Sequence, residues 1–246
     1  RKFEKRLVAA NGEVGEKPVV LRFEDIYEEA AWVGRKVQNL RAKGIALRDI
    51  AVLFRTAFTS MPLQSELVRQ GIRFKLFGGR KFYEMANVRD VVSYLRLIAN
   101  PADELAWHRV LLLLPGIGAR TVERLLEMIT HYTDPKDIIE RVFAPLCTGQ
   151  KNSDVFASFA RLLQTLLTPS MTPSRQVDAV MEHYGPIMES KYKKDPLKVR
   201  ELAMLGQMAR RYTNLKDFLA DVSVDPDKDT NDDDVEYLTL STVHSA

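Results

Sequence analysis

Two glycine-bearing stretches of this chain have the composition that holds phosphate. In the first, residues 113–126 read LLPGIGARTVERLL. Pro115, Gly116, Ile117 and Gly118 form the expected hairpin of a helix-hairpin-helix. It is entered from an apolar helix carrying Leu105, Val110 and residues 111–114. It is left through a second helix with its stripe at Val122, Leu125, Leu126 and Ile129. Two glycines leave backbone N–H groups uncovered at a helix N-terminus, where unpaired donors and the helix dipole favour an anion. Arg120 and Arg124 add charge, and Thr121 adds a hydroxyl. Contacts of this kind hold duplex DNA by its backbone and read no bases. The same residues also suit a tight helix-helix turn with Gly as a C-cap.

In the second stretch, residues 74–97 read FKLFGGRKFYEMANVRDVVSYLRL. Phe74, Leu76 and Phe77 are strand-like, and Gly78 and Gly79 allow a sharp turn and close approach to a ligand. Arg80, Lys81, Phe82 and Tyr83 follow as a basic-aromatic cluster, and Asn87 is the expected N-cap of a helix with its stripe at Val88, Val91, Val92, Leu95 and Ala99. An ordinary strand-to-helix connection has this pattern too. Arg55 ends a strand-like run. Ligands of α/β sheets sit at the C-terminal ends of strands, so Arg55 suits a DNA or nucleotide surface, or the pairing of a carboxylate.

The elements that must position these residues come in two kinds. Residues 19–23 and 50–54 are short strand-like runs, separated by a helical stripe at Ile26, Ala30, Val33, Val37 and Leu40 that Gly44 ends. That is a β-α-β unit with parallel strands, and residues 63–68 before 74–77 repeat the pattern. From Pro101 the alternation gives way to helix after helix. Residues 237–242 are β-prone again and are expected to return as a further strand of the first domain. The expected fold is an α/β parallel-sheet domain interrupted by a mainly α-helical insertion.

A chain of 246 residues has room for two domains, and 46% hydrophobic with 28% charged residues is the composition of a globular protein. No apolar run approaches the roughly 20 residues that span a bilayer, so no membrane partner is expected. A single cysteine, Cys147, excludes an internal disulfide and suits a reducing, cytoplasmic setting. The histidines at 108, 131, 183 and 244 show no metal-ligand spacing. The net charge of +3 is unevenly spread: residues 221–236 carry −7, which leaves +10 for the rest. Six cations, Arg73, Lys75, Arg80, Lys81, Arg89 and Arg96, face only Glu84 and Asp90 between residues 71 and 100. Clustered cations beside aromatics suit a nucleic-acid backbone or a solvated face. The acidic tract partly imitates a calcium loop at Asp225, Asp227, Asp229, Asp233 and Glu236. Thr230 stands where the turn needs Gly, and Pro226 follows the first ligand, so a solvated linker is expected and no metal. Trp32 and Trp107 are expected to pack in cores.

Residues 78–97 resemble the GG-x-[RK]-F-[FY] to YLRL block of the UvrD/Rep/PcrA helicases of superfamily 1. Residues 49–56, DIAVLFRT, with Ser60, Leu63 and residues 70–72, resemble a second block of that family, with Ala57 where the family has Asn and Arg73 where it has Pro. Residues 238–246, LTLSTVHSA, are similar to the start of motif V, T-x-H-x-[AS]-K-G-L-E. The family also carries a GIG loop at the place of the hairpin, generally after Thr-Arg where this chain has Leu-Pro.

The resemblance implies a RecA-like, P-loop NTPase-like 2A motor domain in residues 1–97 and 232–246, interrupted by a helical 2B domain in residues 98–231. It implies a portion of an ATP-dependent DNA helicase that translocates on single-stranded DNA and unwinds duplex in repair or replication. Thr242 and His244 would hold DNA phosphate. Gly79, Arg80, Phe82 and Tyr83 would line the same track or the junction with 2B, and Gly116, Ile117, Gly118, Arg120 and Thr121 would grip the duplex. ATP and magnesium are cofactors of the full-length enzyme. This sequence has no G-x-x-x-x-G-K-[ST] loop, so the portion alone is expected to be inactive without 1A and 1B domains elsewhere in the polypeptide. A non-motor DNA-binding module of a repair nuclease and a regulatory protein-interaction domain are the rival classes.

Overall fold

The computed structural model describes residues 15–77, 82–149, 151–193, 195–223 and 236–245. Helix α1 (Ile26–Ala42) starts at Asp25, whose carboxylate accepts the N–H groups of Tyr27 and Glu28 at 2.8 Å. Glu28 and Glu29 complement the dipole in its first turn. It ends at Lys43, and Gly44 takes φ +88° to turn the chain. Strand β1 (Ala51–Phe54), helix α2 (Met61–Arg69) and strand β2 (Phe74–Phe77) follow, with Pro62 in the first turn of α2, where a missing N–H costs nothing.

Strand β3 (Leu238–Thr242) returns from the far end of the sequence to the middle of the sheet, in the order β1-β3-β2 with both pairings parallel. Leu240 lies opposite Val52 on one side and Leu76 on the other. The inward face of the sheet, with Phe74, Leu238 and Leu240, packs on Ala30 and Val37 of α1 and on Leu63 and Leu67 of α2. The opposite face is open among the described residues, where Leu53 is 53% and Phe77 47% exposed. The strand expected at residues 19–23 does not form. Val19 and Val20 are exposed, and no described strand offers ladder hydrogen bonds to hold that run extended.

A second, larger apolar cluster contains the helices from α3 (Ala86–Ala99) onward: α4 (Glu104–Leu113), α5 (Ala119–Ile129), the short α6 (Pro135–Ile138), α7 (Ser153–Leu166), α8 (Pro173–Tyr192), α9 (Pro196–Ala209) and α10 (Leu215–Ser223). Helix α3 is its axis and meets α4, α7, α8, α9 and α10. Met85 rather than Asn87 is the N-cap of α3. Asn87 is buried as the second residue of the helix, and its amide donates to the carbonyl of Lys198 at 3.2 Å, a tertiary bond in place of a local cap. Leu105 is 83% exposed, because α4 buries Ala106, Trp107, Val110 and Leu111 instead. Trp107 stacks on Phe143 at 5.9 Å and donates its indole N–H to Pro101, as a core residue should. Trp32 lies half-buried against Phe23.

Two buried carboxylates tie helices together. Asp90 of α3 accepts from Arg109 of α4 at 2.9 Å and from Lys191 and Tyr184 of α8 at 3.0 and 2.7 Å. Glu66 of α2 is met by Arg69, Gln70 and Arg211, and the last joins the sheet layer to the turn after α9. Burial pushes the Glu66 carboxyl up, yet hydrogen bonds from Arg69 and Gln70, with the charges of Arg69 and Arg211, hold it below its ordinary value. No helix among the described residues is long and apolar enough to cross a membrane.

Candidate nucleic-acid interface

The hairpin between α4 and α5 closes through a turn in which Ile117 N–H donates to Leu114 O at 3.2 Å, with Pro115 second and Gly116 third at φ +75°. That third position requires the left-handed region, which glycine enters without a steric cost. Gly118 then serves as N-cap of α5 in extended backbone, φ −97°, with no side chain capping the helix. Its carbonyl accepts from Thr121 and Val122 at 2.9 and 3.1 Å. Among the described residues no acceptor meets the N–H groups of Gly118, Ala119 or Arg120. Gly116, Gly118, Arg120 and Arg124 are exposed and Thr121 is half-buried. The result is a row of free donors beside two cations, an arrangement for an acceptor-only anion.

Ile117 belongs to this loop in another way. It is 7% exposed and plugs the helical core, so the direct ligand contact expected of it is corrected to anchoring the turn from beneath. A residue that sequence reading passed over does the same from the side. Asn152, the N-cap of α7 at φ +72°, donates its amide to Gly116 O at 3.1 Å. An asparagine before Ser153 and Asp154 is a recognisable cap signal, but nothing local points 36 residues back to the hairpin.

At the sheet, the C-terminal ends of β1 and β3 lie side by side, and Val243 N–H continues the ladder to Phe54 O at 3.0 Å. This rung brings Arg55 to His244: the guanidinium Nη1 stands 2.8 Å from the imidazole Nε2. Both side chains are exposed. Thr242 is 8% exposed, and its hydroxyl donates to Ser245 Oγ at 2.9 Å. Among the described residues Arg55 therefore meets no carboxylate, the alternative partner expected for it; its neighbour is the histidine at the end of the adjacent strand.

The basic-aromatic loop departs most from expectation. Gly79 and Arg80, with Gly78 and Lys81, lie outside the described residues. Phe82 is fully buried beside Met61 and α3, and its N–H donates to Gln64 at 3.2 Å. Tyr83 packs on Phe82 at 5.1 Å with its hydroxyl buried, and burial pushes its phenol well above the usual range. The Phe82 ring offers no face to a base, and the Tyr83 ring is half-buried. Phe82 is thereby corrected from a track residue to a wedge between α2 and α3, which an apolar ring beside a packed helix prefers to solvent, and Tyr83 sits at the same seam.

No group of three or more His, Cys, Asp or Glu among the described residues is placed to hold a metal. With Arg55 turned to His244 and no phosphate-cradling Lys-Ser/Thr loop in the sequence, these residues do not fit a nucleotide-magnesium complex by themselves. A cavity of about 590 Å³ lies behind the hairpin between Leu114, Pro115, α7 and α8. His183 lines it, and burial pushes that imidazole down, consistent with a neutral ring packed on Tyr94 and Phe159.

Over 98% of its length the chain is 27% identical to an ATP-dependent DNA helicase PcrA of Leuconostoc citreum, of which it covers 35%. Over 96% it is 26% identical to a DNA helicase II of Haemophilus influenzae, of which it covers 34%. A shorter stretch, 44% of the chain, is 39% identical to an ATP-dependent DNA helicase UvrD1 of Mycobacterium tuberculosis and covers 14% of it. The chain thus spans about a third of the length of the curated relatives that it matches from end to end. Residues 2–246 match the model of the UvrD-like helicase C-terminal domain, and the chain belongs to that family.

Proposed function

We propose that this chain is the 2A and 2B portion of an ATP-dependent DNA helicase that translocates on single-stranded DNA and unwinds duplex. In this reading residues 1–97 and 232–246 form a RecA-like 2A motor domain and residues 98–231 the 2B insertion. Central placement of β3 between β1 and β2 supports an interrupted sheet domain. The observation that carries the DNA reading is the hairpin: free N–H groups of Gly118, Ala119 and Arg120 at an exposed basic helix start, aimed at no protein acceptor among the described residues. These donors and Arg120, Arg124 and Thr121 would bind duplex phosphates, while His244 at the sheet edge would bind the phosphates of the single strand, joined by Thr242 where its hydroxyl leaves Ser245. Gly79 and Arg80 would extend that track. ATP and magnesium would be held mainly by domains outside this chain, which is inactive alone.

The test is binding of this chain to a duplex with a single-stranded tail, measured by anisotropy from low to moderate salt. Log K should fall linearly with log salt at a slope of about −0.9 per phosphate contact. A chain that binds with no salt slope, or does not bind, rejects the reading. In the whole helicase, replacing both hairpin glycines should spare single-strand-stimulated ATPase and abolish tight duplex binding.

A further inference from the structure

Arg55 and His244 come from positions 189 residues apart, and the β1–β3 ladder sets them 2.8 Å from each other, guanidinium nitrogen to imidazole Nε2. A guanidinium has five N–H donors and no acceptor. The contact is therefore a hydrogen bond only if Nε2 brings its lone pair, which puts the ring proton on Nδ1. An imidazolium has no lone pair and cannot accept. The two ring nitrogens lie on opposite sides of the imidazole, so fixing one aims the other away from Arg55.

We propose that Arg55 is a positioning residue that locks His244 in its Nδ1–H tautomer, presenting that N–H as a donor to a backbone phosphate of single-stranded DNA. The proposal rests on the assignment of this sheet edge to the single strand. A phosphodiester oxygen only accepts, so a histidine left free to adopt the Nε2–H form would offer it a lone pair at Nδ1 half of the time or more, depending on which tautomer solvent favours. Locking removes that mismatch. It also accounts for an arginine on a strand end with no carboxylate partner among the described residues: its charge stays uncompensated beside the donor it sets.

The test reads the ring directly. Long-range ¹H–¹⁵N spectra of the 246-residue chain at mildly basic pH, with His244 assigned by the loss of its signals in His244→Ala, report which nitrogen is protonated. His244 should show the Nδ1–H pattern in the native chain and move toward the Nε2–H form of free imidazole in Arg55→Ala, while the other three histidines stay unchanged. An Nε2–H pattern in the native chain, or no change in Arg55→Ala, overturns the proposal. Both side chains are exposed, so the variants keep the fold, and unchanged melting verifies it. Binding of a short oligothymidine gives the second arm. Arg55→Ala and His244→Ala should each weaken it about tenfold, and the double variant no further than the weaker single; multiplicative losses would show that Arg55 acts on its own and overturn the positioning role. If the tautomer behaves as stated but His244→Ala binds like the native chain, the pairing stands and the assignment of this edge to single-stranded DNA fails.

Discussion

The two hairpin glycines are chemically alike and structurally opposite, which makes them the sharpest pair of substitutions in the molecule. Gly116 sits at φ +75°, and a Cβ there would lie 3.0 Å from Asn152 Oδ1 and 3.4 Å from its Cγ. Gly116→Ala carries the left-handed penalty of about 1–2 kcal/mol and displaces the amide that holds the loop. With roughly 2–4 °C lost per kcal/mol in a chain of this size, melting should fall by about 2–8 °C. Gly118 is in extended backbone, and a Cβ there meets nothing within 4 Å. Gly118→Ala loses a favourable N-cap residue and restricts the unfolded chain, two effects that offset to within about 1 kcal/mol. Its melting should not move by more than a few degrees. Its methyl nevertheless stands in open space beside the unpaired N–H groups, where a phosphate must approach closely. Affinity for tailed duplex should drop about tenfold, roughly 1.4 kcal/mol. Melting and anisotropy titration of the two variants side by side separate folding from binding. Native affinity in Gly118→Ala would refute the assignment of the α5 N-terminus to phosphate, whatever Gly116→Ala does.

Asn152→Ala removes the strut from Gly116 O and should loosen the hairpin, giving a few-fold weaker duplex binding and faster amide exchange at residues 116–119 with the rest of the chain unchanged. Arg120→Gln should reduce the salt slope of duplex binding by about 0.9 and weaken all sequences equally, as expected of a phosphate contact. Asp90→Asn leaves Arg109 and Lys191 facing a neutral, partly mismatched amide in a site where the native carboxylate is wholly buried. Because the two cations left behind are partly exposed, the loss should be about 1–3 kcal/mol, which urea unfolding would register as a lower midpoint. Glu66 has its folded carboxyl held below the unfolded value, so its stabilisation is complete above the ordinary carboxylate range and is lost as pH falls through the lowered folded value. Stability of the native chain should decline through that acidic window, and Glu66→Gln should be less stable at neutral pH with a shallower decline.

What could be read from sequence followed periodicity and turn chemistry. The stripe of α1, the strands at residues 51–54 and 74–77 and the return of β3 are legible because helical and alternating patterns are local, and because Gly44 ends α1 by a conformation few residues adopt. Pro115, Gly116, Ile117 and Gly118 announce a hairpin for the same reason. What was not legible depended on partners distant in the chain. Residues 19–23 have strand composition, but a strand is a property of a pair. Leu105 fits an apolar stripe until α3 and α5 fix which face of α4 turns inward. Phe82 and Tyr83 stand beside two cations in sequence, and only the packing around α2 and α3 decides that Phe82 goes in and Tyr83 halfway.

The same distinction explains why the candidate site was half seen. Its residues were identified by type, yet their roles come from contacts that span 36 and 189 residues: Asn152 on Gly116, and Arg55 on His244. Each contact uses a donor with no local substitute to fix one atom of a ligand-facing group, a carbonyl in one case and a ring nitrogen in the other. Preorganisation of this kind lowers the ordering cost of binding a flexible polyanion. It also leaves the energetic weight on two exposed, single hydrogen bonds rather than on the buried carboxylate ties at Asp90 and Glu66. Substitutions at 55, 152 and 244 should therefore change DNA affinity while sparing the fold, and substitutions at 66 and 90 should do the reverse. A variant of Asp90 or Glu66 that melts normally but loses DNA would contradict this division of labour between the two kinds of contact.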